Sequence, residues 1–219
     1  MSARTLVTTA AALLAACSAA IAAPLPAPAY DPPAAGVQSA VLSGCCFWGV
    51  QGVFEHVRGV KKVWAGYAGG KRATAQYEIV GSGMTGHAES VEITYDPAQI
   101  SYGQILRIFF SVATDPTEVN RQGPDEGPQY RSEIFYRSTA QKVVAERYIA
   151  QLNGAKAFGR PIATRVDPDT GFFHAEDYHQ DYLVHHPEAP YIAINDLPKV
   201  RALKAEFPTL WREAPVLAM

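Results

Sequence analysis

Residues 37–67 read VQSAVLSGCCFWGVQGVFEHVRGVKKVWAGY. Val37 to Leu42 is a short β-rich run that stops at Ser43-Gly44. From Cys46 to Val57 the apolar residues Phe47, Val50, Val53, Phe54 and Val57 recur at helical period. Val60 to Tyr67 is strand-like again and ends at Gly69-Gly70. One β-α-β unit is therefore written into this stretch, with two adjacent cysteines at the first strand-to-helix junction.

A second unit follows. Ala88 to Tyr95 alternates, with Val91, Ile93 and Tyr95 on one face, and ends at Asp96-Pro97. Ser101 is a cap for a helix over 102–113, and Ser132 to Arg137 reads as a strand. Thr139 to Asn153 predicts a helix closed by Gly154, Ile162 to Val166 a strand, and Leu197 to Glu206 a terminal helix. Residues 68–86 and 114–131 are rich in turn residues and read as long loops, which in compact domains are often functional. No internal repeat is visible. The order β-α-β, β-α-β, then α and β predicts an α+β fold. The expected form is a two-layer split-βαβ (ferredoxin-like) sandwich: a mostly antiparallel sheet, helices packed on it, and the aromatic, His-rich segment 172–186 wrapping around it.

The chain has 219 residues, 48% hydrophobic and 18% charged, which is globular composition and excludes wholesale disorder. Its formal charge of −2 offers no basic field for nucleic acid. Three cysteines, two of them adjacent, make neither a disulfide scaffold nor a four-cysteine zinc site.

Residues 1–22 form a leader: Arg4, an apolar run from Leu6 to Ala16, then small residues. The run is short for a membrane span. Ala20-Ile21-Ala22 offers a cut before Ala23, giving a soluble exported chain. Leu14-Ala15-Ala16-Cys17 offers a second reading, a lipoprotein signal in which Cys17 is acylated and anchors the chain to a membrane. Either places the protein in the periplasm. A Pro/Ala-rich linker over 23–36, a single catalytic domain over 37–210 and a tail over 211–219 complete the expected organisation.

The junction Gly44-Cys45-Cys46-Phe47-Trp48-Gly49 is chemically suggestive. A thiol at a helix N-terminus feels the positive end of the macrodipole, which favours thiolate, the nucleophilic form. Phe47 and Trp48 can line a pocket for an uncharged, methyl-bearing group. A purely structural reading, with both cysteines and both aromatics in the core, stands beside this one. Papain-like and caspase signatures are absent. His87-Ala88-Glu89 mimics the H-x-E of zinc deaminases, but no C-x-x-C exists to complete that site.

With Cys46-Phe47-Trp48-Gly49, Gly66-Tyr67-Ala68-Gly69-Gly70, Gly86-His87-Ala88-Glu89, Asn120 to Asp125 with Gln129 to Ser132, and Ala175 to Leu183 all in order, the chain resembles the class A methionine sulfoxide reductases. These are the peptide-methionine (S)-S-oxide reductases. The resemblance runs from about residue 39 to about residue 190. It implies that Cys46 attacks the sulfoxide sulfur and becomes a sulfenic acid. It casts Glu89 as the acid that protonates the oxygen, and a carboxyl in an apolar pocket holds its proton near neutral pH. It casts Tyr77 and Tyr130 as donors to the oxygen, Asp125 as a positioning residue, and Phe47 and Trp48 as the binding pocket for the ε-methyl that selects the S epimer. No cofactor is implied. The co-substrate is an external thiol reductant, thioredoxin-like, and the other partners are oxidised methionines in proteins or peptides, with a monomeric chain.

The sequence departs from the family in its recycling thiols, because no cysteine follows Cys46. Cys45 occupies a position where the family usually has Gly. It reads either as a small packed residue, with an external thiol reducing Cys46 directly, or as a resolving thiol through a strained ring between neighbours. Thr114 stands where a His often precedes the Asp. The imidazoles of 172–186 match a pocket-lining segment rather than a metal site. The alternative functions are another exported thiol oxidoreductase acting on peroxide, and a sulfoxide-binding domain that does not recycle.

Overall fold

The structure is a computed structural model that describes residues 24–219. The leader, both cleavage readings and Cys17 lie outside the described residues.

β1 (Gln38–Ser43), α1 (Phe47–Glu55) and β2 (Val60–Ala68) form the unit expected from 37–67. α2 (Tyr77–Val80) and β3 (Ala88–Tyr95) follow, then α3 (Tyr102–Ile108). β4 (Arg121–Gln122) and β5 (Asp125–Glu126) are a small hairpin. β6 (Glu133–Tyr136), α4 (Thr139–Gly154), β7 (Arg165–Pro168) and β8 (Phe172–His174) come next, and α5 (Tyr182–His185) and α6 (Leu197–Glu206) end the series.

The result is a mixed α/β fold on one six-stranded sheet of order β7-β6-β1-β3-β2-β8. β3 pairs antiparallel with β1, from Gln38↔Tyr95 to Ser43↔Ser90, and with β2 as far as Ala68↔Ala88. β6 is antiparallel to β1, β8 antiparallel to β2, and β7 parallel to β6. Val50, Val53, Phe54 and Val57 of the α1 segment are all buried in the main core. Each contributes about 1.5–3 kcal/mol relative to exposure.

Several elements differ from the sequence reading. Helix 102–113 starts with the expected cap: Ser101 Oγ accepts the Gln104 N–H (3.2 Å) and Gln104 Oε1 accepts the Ser101 N–H (2.9 Å). Its last turn, Phe109–Ala113, widens to a π-helix. The strand expected at 162–166 begins only at Arg165. The Ile162 N–H donates instead to Asn153 Oδ1 (2.9 Å) and the Ala163 N–H to the Pro116 carbonyl (2.7 Å). Phe172–His174, expected in the wrapping segment, is an edge strand on β2. The loop over 68–86 contains α2, and that over 114–131 contains the hairpin.

The segment after β8 is stapled to α1 and β2 by side-chain amides. Gln180 Oε1 accepts the Ala65 N–H (2.9 Å), its Nε2 donates to the carbonyls of Ala65 and Ala175 (3.0 and 3.1 Å), and Gln51 Oε1 accepts the Asp181 N–H (3.0 Å). Both flanking segments lie on the domain. Tyr148 Oη donates to the Pro26 carbonyl (2.8 Å), and the Asp181 carboxylate accepts the N–H groups of Ala218 and Met219 (2.8 and 3.1 Å).

Candidate active site

The site is built where β1 ends and α1 begins. The Ser43 hydroxyl donates to the Glu89 carbonyl (2.7 Å) and lies 2.9 Å from the Arg131 carbonyl, so three segments meet at one buried oxygen. Gly44 follows because there is no space for a side chain: a Cβ there would lie 2.7 Å from Thr114 Oγ1 and 2.9 Å from Phe109 Cζ. Cys46 is the N-cap of α1 and is buried.

The electrostatics reverse the expectation of a thiolate. Burial pushes the Cys46 thiol well above its ordinary value, and the carboxyls of Glu89 and Asp196 add to this. The Trp48 backbone N–H pulls the other way and is outweighed. The first N–H of α1, that of Phe47, goes to Glu89 Oε2 at 3.1 Å instead of to the sulfur. The resting site therefore holds a neutral thiol.

Glu89, the second residue of β3, is only 3% exposed. Burial raises its pKa to about 8, against the opposing Phe47 hydrogen bond, so at neutral pH it carries a proton. Tyr77 opens α2, and its N–H donates to Glu176 Oε1 (3.0 Å), while Tyr67 Oη donates to Glu176 Oε2 (2.9 Å). Burial and the Glu89 charge push the Tyr77 phenol up to about 12 and raise that of Tyr130 as well. Both phenols remain proton donors. Asp125, in the hairpin, accepts the Tyr191 hydroxyl. Burial raises the Asp125 pKa against the pull of Tyr191 and Lys199.

Phe47 and Trp48 form an aromatic wall with residues from the wrapping segment. Trp48 stacks on Tyr182 (4.0 Å, 15°) and meets the edge of Tyr191 (6.1 Å). Its Nε1 donates to His179 Nδ1 (3.1 Å), which fixes the His179 proton on Nε2 while that imidazole is neutral. Burial lowers the His179 pKa, so the neutral form is favoured. Phe47 and Tyr77 flank the same imidazole (5.0 and 4.4 Å).

Cys46, Glu89, Tyr77, Tyr130 and Asp125 thus come together, although they arise from five separate segments. The sequence reading missed Tyr191, Glu176, Asp196 and Lys199. Lys199 Nζ donates to Cys45 Sγ (2.7 Å) and to Asp196 Oδ1 (3.0 Å). Glu176 lies inside the matching stretch Ala175 to Leu183 without a role being marked there, and no local pattern marks the other three. They matter only through contacts made across the fold. His174 stacks on Trp64 and His186 packs at a tilt on Tyr182 (both 4.4 Å), and among the described residues no group of His, Cys, Asp and Glu is arranged to hold a metal.

Comparison with known proteins agrees with this chemistry. Residues 38–210 match the family model described as peptide methionine sulfoxide reductase. The chain is 55% identical over 186 residues to "Peptide methionine sulfoxide reductase MsrA 2" of Mesorhizobium japonicum, covering 85% of this chain and 95% of that protein. It is 46% identical to the MsrA of Thermus thermophilus, covering 79% and 97%. Among solved structures, reduced Mxr1 of Saccharomyces cerevisiae superposes with a TM-score of 0.64 at 32% identity, covering 73% of this chain and 90% of that one. Methionine sulfoxide reductase A of Corynebacterium diphtheriae does so with 0.60 at 31%, covering 72% and 80%. With a family model spanning the whole sheet and the site, the chain belongs to the peptide methionine sulfoxide reductase family.

Proposed function

We propose that this protein reduces the S epimer of methionine sulfoxide, free or within peptides and proteins, to methionine. The observation that carries the reading is the burial of the Cys46 thiol together with the Glu89 carboxyl, which accepts the N–H of the next residue, Phe47, at 3.1 Å; that burial raises the Glu89 pKa to about 8. A sulfoxide oxygen leaves sulfur readily only once protonated. Glu89 gives its proton to that oxygen as the Cys46 sulfur attacks the sulfoxide sulfur. The oxygen passes to Cys46 as a sulfenic acid, methionine departs, and the thiol proton restores Glu89. The step consumes no net proton, so a neutral resting thiol suits it.

Tyr77 and Tyr130 donate to the oxygen as its charge develops, and their raised pKa values keep them protonated for that task. Asp125, held through Tyr191, positions this oxygen-facing side. Phe47 and Trp48 take the ε-methyl, and with the donors on the other side of sulfur they select the S epimer. Two electrons from an external thiol, of thioredoxin-like dithiol type, return the enzyme to its resting state. No prosthetic cofactor enters the scheme.

The strand senses support a split-βαβ, ferredoxin-like core in β6-β1-β3-β2, within a single catalytic domain over 37–210. Export to the periplasm, soluble or anchored at Cys17, is supported by the composition of residues 1–22, and a monomer by the near-neutral charge.

The test is reduction of a peptide S-sulfoxide and its R epimer with dithiothreitol. Wild type is expected to reduce the S epimer alone. Cys46→Ser is expected to have no activity, and retained activity would refute the assignment. Turnover of peroxide without turnover of sulfoxide would point to a different thiol enzyme.

A further inference from the structure

Cys45 is more than a packed neighbour. Its Sγ accepts the Lys199 ammonium at 2.7 Å, and that ammonium is held by Asp196 at 3.0 Å. Asp196 is fully buried, and its second oxygen has no partner. It sits directly against Gly49, where a Cβ would overlap its carboxylate. Burying the Asp196 carboxylate costs several kcal/mol of desolvation, which the partly exposed Lys199 ammonium offsets. A sulfur that only fills space needs no such partner. Burial pushes the Cys45 thiol up to about 11, so it too rests neutral, and the Lys199 ammonium pulls the other way, lowering the cost of the thiolate that forms when the sulfur acts as a nucleophile. Lys199 also lines a cavity of about 730 Å³ with Thr114 and Arg160, so the ammonium stands between that cavity and the buried Cys45 sulfur. Among the described residues Cys45 and Cys46 are the free cysteines, and they are chain neighbours.

We infer that Cys45 is the recycling thiol of this enzyme and Lys199, clamped by Asp196, its positioning residue. The inference rests on the sulfoxide-reducing function proposed above. After methionine leaves, the Cys45 sulfur attacks the Cys46 sulfur of the sulfenic acid. The S–O bond breaks, an S–S bond forms, and the hydroxide leaves as water with the Cys45 proton. Cys45 is oxidised and the Cys46 sulfur reduced by the same electron pair, so no outside oxidant is needed. The product is a disulfide between adjacent residues. Such rings are strained, and strained disulfides are the readily reduced ones, which suits a transient intermediate handed to an external dithiol.

The experiment is a single turnover of the full chain with one equivalent of peptide S-sulfoxide and no reductant. Methionine release is measured. Cys46 sulfenic acid is trapped with dimedone, and remaining thiols are alkylated and located by fragment mass. Wild type is expected to release one methionine, lose both Cys45 and Cys46 thiols together, and give no dimedone adduct. Cys45→Ser and Cys45→Ala are expected to release one methionine but leave a dimedone-reactive Cys46. Lys199→Gln is expected to slow disappearance of the sulfenic acid tenfold or more at pH 7 and to recover as pH rises, with Lys199→Arg close to wild type. A persistent sulfenic acid in wild type with Cys45 still alkylatable overturns the inference. So does a pH profile unchanged in Lys199→Gln. If wild type releases no methionine, the proposed function fails first and the recycling step falls with it.

Discussion

The Phe47 backbone N–H, the first of α1, donates to Glu89 Oε2 at 3.1 Å, so the helix terminus is shared between the acid and the thiol, which keeps only the Trp48 N–H. This bond lowers the Glu89 pKa, yet burial still lifts it to about 8. The reaction needs Glu89 protonated, so the sulfoxide-reduction rate is expected to fall as pH rises through about 8. Glu89→Gln should lower kcat by about 10²–10⁴ and remove that alkaline limb. Single-turnover rates across pH 6–10 check this, and an alkaline limb surviving in Glu89→Gln would take the acid role away from Glu89.

The same proton is a stability effect. The folded pKa of Glu89 lies above that of the unfolded chain, so the contribution is full below the ordinary carboxylate range and is lost as pH rises to about 8. Wild type should therefore lose roughly 1–4 kcal/mol between pH 4.5 and 8 at this site. Glu89→Gln should flatten that part of the curve in urea denaturation. Equal pH slopes in the two proteins would show that Glu89 ionises freely in the fold.

A neutral resting thiol also has a direct chemical readout. Alkylation of Cys46 by iodoacetamide in the free enzyme should climb with pH through 9 without levelling off, because burial and the Glu89 and Asp196 carboxyls oppose the thiolate. A plateau reached near pH 6–7 would mean that the helix terminus dominates.

A local reading of the sequence stops short of this electrostatic balance. The β1-α1-β2 unit is legible because period 3.6 follows period 2 within one stretch and glycines punctuate it. The cap at Ser101 is equally local. The thiolate argument considers only α1, whereas the thiol is pushed up first by burial, which the whole fold supplies, and then by carboxyls that arrive from β3 and from Asp196, long-range in sequence. Lys199 falls inside the expected helix 197–206 and looks like a solvated lysine until the fold sets its ammonium on Cys45. β8 has three residues, Phe-Phe-His, too few for alternation to register, and its partners on β2 are remote.

Asp125 depends on a hydroxyl that no motif marks. Tyr191 donates to it, and removing that donor leaves a partly buried carboxyl to find another partner. Tyr191→Phe should cost about 1–2 kcal/mol of transition-state stabilisation, seen as a five- to thirty-fold lower kcat. The Trp48–Tyr191 edge contact survives in the variant, so KM should change little. An unchanged kcat would confine Tyr191 to the aromatic wall.

Gly44 sets the position of both cysteines by lacking a side chain. In Gly44→Ala the new methyl would press on Thr114 Oγ1 at 2.7 Å and Phe109 Cζ at 2.9 Å. Both neighbours are buried, so the strain passes to the backbone that leads into Cys45 and Cys46. The expected destabilisation is about 1–3 kcal/mol, typical of overpacking. Activity should fall further than stability does, because misplacement of a reacting group by about 1 Å can cost 10²-fold. Thr114 Oγ1 has no hydrogen-bond partner, so Thr114→Ala removes one of the two obstructing atoms at little polar cost. The double variant Gly44→Ala/Thr114→Ala should therefore recover part of the lost stability, and a double-mutant cycle in urea measures the coupling. Strict additivity of the two substitutions would mean that Thr114 Oγ1 takes none of the strain, which then falls on the Phe109 ring and Thr114 Cβ.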